Sequence, residues 1–314
     1  MPKFVADQII MNTSIKITAY SDYGTVDTWN LINQAFDNFL QVVKKFSRFD
    51  PNSELSQLNQ NQGKPTQLSP ELFEIIHFAL NLAKQTLGKY DPTVLDLLEV
   101  YGYKNEKDFQ ELNDPYLMKK IKKIILERPK YSEIQLDQVN HTITLQKKQR
   151  LDLGSLGKGY AIKLAAKTLS PTQNFLIEAG GDIFARGKKE NNLPWQVGLL
   201  VQQDDEPQML GKITLTNQSI ASSGSWANRV RFFHHLLNPK NGLPENYWQQ
   251  IFVLDPDPLL ADAWATALFL AGTAALKLAE SKKLTALLLD FHGKITKTED
   301  FPKVSVGSWQ NTSK

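Results

Sequence analysis

The sequence contains no cysteine. Disulfides, thiolate metal sites and thiol redox chemistry are therefore excluded, and zinc-ribbon readings go with them. Long apolar runs are missing too: no stretch of eighteen apolar residues occurs, and the amino-terminal "MPKFVADQIIMNTSIKITAY" lacks the apolar segment of a secretory signal. For the chain as given, the expectation is no transmembrane segment and a cytoplasmic location, or a cell-envelope location if an export signal has been removed. Charge of one sign is also scarce. Lysine and arginine number 36 against 33 acidic residues, a net +3, with the lysines interleaved among the acids. Sequence-independent nucleic-acid binding is not implied by such a balance, whereas a small anionic ligand is compatible with it. No internal repeat and no Pro/Gly/Ser linker divides the chain.

What is present is an ordinary globular composition, 41% hydrophobic, 22% charged and 10% aromatic, over 314 residues. This exceeds the roughly 250 residues beyond which cores tend to split. With no linker, a single domain over 1–314 is expected, built as one body or as two intimately joined subdomains.

Ser14 to Tyr20 alternate, with Ile15, Ile17 and Ala19 on one face, and read as a strand. From about Thr28, the residues Ile32, Phe36, Phe39, Leu40, Val43 and Phe46 recur at helical spacing, and Pro51 and Asn52 then mark a turn. Ser69 as N-cap, Pro70 in the first helical position and Gly88 as a stop frame a helix over 70–87. "GKYDPTV" follows as a loop. The lysine-rich stretch 104–130 reads as a helical insertion at the surface, anchored by Ile121, Ile124 and Ile125. "EIQLD" and "TITLQ", joined by "QVNH", predict a hairpin. A glycine-rich loop, "LDLGSLGKGYA", leads into a helix carrying Ala161, Leu164, Ala165 and Leu169 on one face, and "NFLIEAGGDIFARG" reads as strand, glycine turn, strand. "WQVGLLV", "KITLTNQSIASSG" and "FFHHLLNPKNGLP" look strand-like, and "LLADAWATALFLAG" is a core-type helix. The sum is an α+β protein with a long mixed or antiparallel sheet and packed helices.

Three stretches carry chemistry. In the last helix, Asp262 and Thr266 are four residues apart, which places two oxygens on one helix face where they can converge on a cation. The competing reading puts Asp262 on a solvated face and bonds Thr266 back to the carbonyl of residue 262. "DLGSLGKGYA" is not a Walker A loop, since two residues separate Gly154 from Gly157 and Gly159 follows Lys158. It reads either as a plain turn or as a helix N-terminus with a lysine suited to a phosphate. In "HHLLNPKNGLP", strand alternation would send His234 and His235 to opposite faces, so one of them at most serves a site.

Taken in order, "FSRFDPNSELSQLN", "GKYDPTV", "LDLGSLGKGYAIKLAA", "LIEAGGDIFARG", "HHLLNPKNGLP" and "LADAWATALFLAG" resemble the ApbE family of FAD:protein FMN transferases, over roughly residues 11 to 275. The resemblance implies a T-fold-related architecture with the FAD site between two intimately joined subdomains. It implies that FAD is the substrate, that Mg²⁺ is the cofactor, and that FMN passes to a threonine of an acceptor protein as AMP leaves. Asp262 and Thr266 match the family's metal ligands, and the third, a backbone carbonyl, falls on Ser155. Met11, Phe49, Lys89, Tyr90, Asp91, Asp152, Lys158 and Leu237 match FAD contacts, and His235 stands at the family's histidine, where it could serve as general base.

The chain departs from the pattern in three places. Asn12 replaces a glycine after Met11, Asn238 replaces the aspartate of the histidine motif, and "LDLLEVYGYKN" follows "YDPTV" where the family has Gly-Pro and Trp-Gly-Phe. Two alternatives keep the same FAD site: an FAD pyrophosphatase that uses water as acceptor, and a non-catalytic FAD-binding protein.

Overall fold

The computed structural model describes residues 1–103, 116–203, 206–226 and 234–306. In chain order the elements are β1 (Lys3–Ile10), β2 (Thr13–Tyr20), α1 (Thr25–Phe46), α2 (Glu54–Gln60), β3 (Thr66–Gln67), α3 (Pro70–Gln85), α4 (Leu95–Val100) and α5 (Leu117–Glu127). There follow β4 (Gln135–Asp137), β5 (Thr142–Thr144), α6 (Gly154–Thr168), β6 (Asn174–Ala179), β7 (Asp182–Arg186), β8 (Trp195–Gln203), β9 (Glu206–Leu215) and β10 (Gln218–Gly224). The last are β11 (Trp248–Asp255), α7 (Pro258–Ala271), α8 (Ala275–Ser281), β12 (Thr285–Asp290), β13 (Ile295–Lys297) and β14 (Ser305–Val306).

The frame is an eight-stranded sheet in the order β1-β2-β6-β7-β10-β11-β12-β13. Each neighbouring pair runs antiparallel. Both faces are covered, and the strands alternate accordingly. On β12, Ala286 and Leu288 join a core beneath α1, α6 and α7, while Leu287 and Leu289 join a second core under the small sheet β14-β9-β8. On β7, Phe184 faces the first core, and Ile183 and Ala185 face the second. A third cluster, Leu97, Leu98, Tyr101, Tyr103, Ile121 and Leu237, lies where α4 and α5 meet the stretch after His235.

Local signals explain several elements. Ser69 accepts the N–H of Leu72 and Pro70 opens α3, which ends at Gln85 because Leu87 (φ 53°) and Gly88 (φ 73°) turn left-handed. "EIQLD" and "TITLQ" pair as the β4–β5 hairpin. Met11 (φ 56°) and Asn12 (φ 58°) form the two-residue turn between β1 and β2, and asparagine tolerates the left-handed conformation that the usual glycine would supply. The segment Pro258–Ser281 is long and apolar enough to cross a membrane, but it is largely buried within the protein. Its α7 part packs on α6, β10 and β11.

Two expectations are corrected. The glycine-rich stretch is not a loop: α6 starts at Gly154, so Gly157 and Gly159 are helical. "HHLLNPKNGLP" is not a strand, and retains only an isolated bridge between Leu237 and Pro244. There Pro239 has no N–H to donate, the Asn238 side chain closes its own turn onto the N–H of Lys240, and Gly242 sits at φ 69°. Phe232 and Phe233, which precede it, lie outside the described residues. Of the 104–130 insertion, 104–115 also lie outside them; the remainder includes α5, whose Ile121 is fully buried.

Candidate functional site

The site begins where α6 crosses α7. A Cβ on Gly159 would fall 2.7 Å from the Cβ of Asp262 and 2.7 Å from the carbonyl oxygen of Pro258, so the two helices meet at a spacing that only glycine permits. The N–H of Gly159 donates to Asp262 Oδ2 at 2.9 Å. In a regular helix that N–H is aimed at the carbonyl of Ser155.

Asp262 is not on a solvated face. It is 3% exposed on a helix buried on all sides, and its second carboxylate oxygen takes no hydrogen bond among the described residues. Thr266, 4% exposed, does not bond back to residue 262; its hydroxyl meets that of Ser223 on β10 at 3.0 Å. One carboxylate and two hydroxyls therefore gather at the α7–β10 contact.

Asp182 stands beside this group. It opens β7 after the Gly180–Gly181 turn, is 1% exposed, accepts the N–H of Ser222 at 3.1 Å and pairs with Lys158. The Met11 turn lies next to that glycine turn, with the N–H of Gly180 bonded to the carbonyl of Ser14 at 3.2 Å. Burial opposes the charge on Lys158, but the pull of Asp182 and Asp262 outweighs it and raises its pKa. For Asp262, burial first and repulsion from Asp182 second push the pKa well above the carboxylate range, against the opposing influence of Lys158 and the Gly159 N–H. Fully ionised, the two buried carboxylates and the partly exposed lysine carry two negative charges and one positive. This one-charge deficit suits a cation.

Among the described residues no three His, Cys, Asp or Glu side chains gather to hold a metal. The oxygen-only set here fits a hard cation such as Mg²⁺, which is bound through one or two carboxylates and keeps waters and substrate phosphates as its other ligands.

A second group surrounds the start of α6. Ser155 Oγ lies 3.3 Å from the hydroxyl of Tyr90, a buried phenol whose pKa burial raises. The N–H of Asp152 bonds the carbonyl of Pro92 at 2.8 Å, joining the "KYDPTV" loop to the helix. Lys89, partly buried, lies on the same loop. Asp152 also accepts from Arg48 Nε at 2.8 Å, and the Arg48 guanidinium lies 4.2 Å from the centre of the Phe49 ring. Asp91 accepts both the N–H and the hydroxyl of Thr93, at 2.8 and 2.7 Å, and pairs with Arg128 at 3.3 Å. Arg128 follows α5 directly and also donates to the carbonyls of Thr93 and Pro239, at 3.1 and 3.2 Å. The stretch read as a surface insertion thus sends a buried arginine into the site.

The two histidines differ in kind. His234 is 1% exposed and packs edge-on to Phe269. Its Nδ1 accepts the N–H of Leu236 at 3.2 Å, so Nε2 carries the proton and donates to Asn246 Oδ1 at 3.1 Å. His235 is only partly buried and meets Tyr103 edge-on, with ring centres 6.4 Å apart. Leu237 is buried in the third cluster beside Tyr103. Asn238 shapes the turn: its Oδ1 accepts the N–H of Lys240 at 3.0 Å and its Nδ2 donates to Glu245 at 3.3 Å.

Sequence reasoning missed Asp182, Arg48, Arg128 and Ser223. Asp182 had a signal, a carboxylate at the head of the apolar strand "DIFA". The others sit in unremarkable contexts. A groove of about 520 Å³ between α3 and α6, lined by His77, Phe78, Lys163 and Lys167 among others, shares no residue with the site.

Comparison with known proteins identifies the family. The model of the ApbE family matches residues 11–288. The chain is 29% identical to the FAD:protein FMN transferase of Haemophilus influenzae, over 89% of this chain and 84% of that protein. It is 30% identical to the FAD:protein FMN transferase of Chlamydia muridarum, over 82% of this chain and 81% of that one. Among solved structures it is similar to the ApbE protein of Thermotoga maritima, with a TM-score of 0.85 at 24% identity, covering 95% of this chain and 97% of that one. The flavin transferase ApbE of Vibrio cholerae gives a TM-score of 0.85 at 21% identity, covering 96% and 98%. At these identities the two structures speak to the α+β fold alone.

Proposed function

The chain belongs to the ApbE family and is a flavin-transferring enzyme like the relatives it matches, and from that premise we propose that it moves the FMN part of FAD onto a threonine hydroxyl of an acceptor flavoprotein, in a Mg²⁺-dependent reaction that releases AMP. The observation that carries this reading is the meeting of two buried carboxylates, Asp262 and Asp182, with the partly exposed Lys158, beside the paired hydroxyls of Thr266 and Ser223.

Asp262 and Thr266 would hold the ion. The Ser155 carbonyl, one turn before Gly159 on α6, would join them. When bound, Mg²⁺ neutralises charge on the FAD pyrophosphate and fixes its orientation. Lys158, kept charged by its two carboxylates, adds a cation for a phosphate oxygen. Met11, Phe49, Lys89, Tyr90, Asp91, Asp152 and Leu237 form the FAD pocket on this reading, between the main helix-covered sheet and the small cluster of α4, α5 and the histidine turn. His235 takes the proton of the threonine hydroxyl as its oxygen bonds to the FMN phosphorus and the bond to the AMP phosphate breaks. Phosphoryl transfer of this kind asks the protein mainly for positioning and charge, with the base adding a further factor.

Hydrolysis of FAD by water would use the same site. A time course with FAD and Mg²⁺, with and without lysate proteins, separates the readings. AMP release that accelerates when proteins are added supports transfer, and rapid release from FAD alone points to a pyrophosphatase. Bound FAD with no AMP under either condition points to a binding protein and overturns the transferase reading.

A further inference from the structure

Arg48 is the second residue of the turn that follows α1, and nothing in the family resemblance singles it out. Its side chain is 11% exposed and joins three separate stretches of chain. Nε donates to Asp152 at the start of α6 at 2.8 Å, and Nη1 donates to the carbonyl of Tyr103, beyond α4, at 2.6 Å. The guanidinium carbon lies over the neighbouring Phe49 ring, 4.2 Å from its centre. We propose that Arg48 is a positioning residue of the FAD site: it holds the Phe49 ring and the Asp152 carboxylate in one fixed arrangement that receives a planar ring and the linking part of the dinucleotide. The inference rests on the FAD reading above.

The geometry uses what distinguishes arginine from lysine. A guanidinium bonds along its edge while its flat face stacks on an aromatic ring, whereas an ammonium is a point charge on a flexible stem. Phe49 is 38% exposed, an aromatic at the rim with one face backed by Arg48. An exposed phenylalanine without that backing would sample several rotamers and lose that freedom on binding, at a cost to affinity. Asp152 is similarly fixed between Arg48 and the backbone of the "KYDPTV" loop. Because Arg48 also holds the carbonyl of Tyr103, whose ring faces His235, one side chain ties the dinucleotide side of the site to the histidine side.

The test measures FAD binding by flavin fluorescence in Mg²⁺ buffer for the wild type, Arg48→Gln, Arg48→Lys, Phe49→Leu and the double variant Arg48→Gln/Phe49→Leu, with thermal melts and steady-state kinetics alongside. Arg48→Gln is expected to weaken FAD binding about tenfold, the scale of one lost charge-assisted contact. KM should rise accordingly, with kcat changing far less. The double variant should bind little worse than the weaker single variant, because Arg48 acts through Phe49, and Arg48→Lys should restore only part of the loss. Binding by Arg48→Gln equal to wild type, full rescue by lysine, or losses that add independently in the double variant would each overturn the proposal. If Arg48→Gln does not fold, Arg48→Lys carries the test, since it keeps a charge for Asp152 but loses the flat face. A wild-type protein that does not bind FAD would overturn the functional reading instead, so the two failures are distinguishable.

Discussion

At the scale of single residues, neighbours in sequence take opposite roles for reasons visible in their hydrogen bonds. His234 is locked in one tautomer by the N–H of Leu236 and by Asn246, whereas His235 stands partly exposed beside Tyr103. His235→Ala is therefore expected to lower the transfer rate by about 10²–10⁴ while preserving FAD binding, as befits a general base. His234→Ala should instead lower the melting temperature, since it empties a buried site and strands the Leu236 N–H. A paired kinetic and melting comparison checks both. Strand alternation suggested that the histidines differ, but the reason is side-chain capping within a turn, which spacing does not encode. Asn238 answers a similar question. It shapes the turn and donates to Glu245, where an aspartate would set two carboxylates against each other.

Asp262 carries a pH dependence whose sign follows from its environment. Its pKa in the folded protein is raised from 3.8 towards about 7, so the folded metal-free protein holds this proton more tightly than the unfolded chain does. This group therefore weakens the metal-free fold as pH climbs through that window. A bound cation relieves the penalty, and its binding expels the proton. Melting curves with and without Mg²⁺, at about pH 5.5 and about pH 8, should show a stabilisation that grows with pH. An equal shift at both values would contradict the assignment, and Asp262→Asn should abolish the growth.

At the scale of elements, the glycines of "GSLGKGYA" suggested a loop because glycine is a poor helix former, yet they lie in α6. The cause is tertiary: Gly159 lets α6 touch the backbone of α7, which brings Asp262 to the N–H of Gly159. Gly159→Ala should raise local helix propensity and still destabilise the protein by roughly 2 kcal/mol, because the added methyl meets backbone rather than a flexible side chain. Urea denaturation measures this, and a neutral or stabilising result would show that the helices separate freely. Arg128 makes the corresponding argument for α5. Asp91 and Arg128 are 7% and 10% exposed, so Arg128→Met leaves a nearly buried carboxylate without its counter-charge and should cost on the order of 3 kcal/mol in the same assay. Caps and periodicity made α1 and α3 legible to within a few residues, since those signals are local. The functional reach of α5 was not legible, because it depends on where one arginine points.

At the scale of the whole molecule, the sequence supported an α+β protein with a long sheet but not the order of its strands. Hairpins such as β6–β7 follow from a glycine turn between two apolar runs. The pairings of β2 with β6 and of β7 with β10 join strands distant in sequence, where no local pattern speaks. The ordered motifs nonetheless pointed to residues that this topology brings together, since the ends of β7 and β10 lie against α6 and α7, where the carboxylates and hydroxyls meet. The central claim is that this meeting point holds the ion on which flavin transfer depends. The most direct measurement incubates the wild type and Asp262→Asn with FAD, Mg²⁺ and lysate proteins, then compares AMP released with flavin retained on denatured protein. The account predicts one protein-bound FMN for each AMP in the wild type and loss of both in Asp262→Asn. Free FMN in place of protein-bound flavin, or bound flavin undiminished in Asp262→Asn, would contradict it.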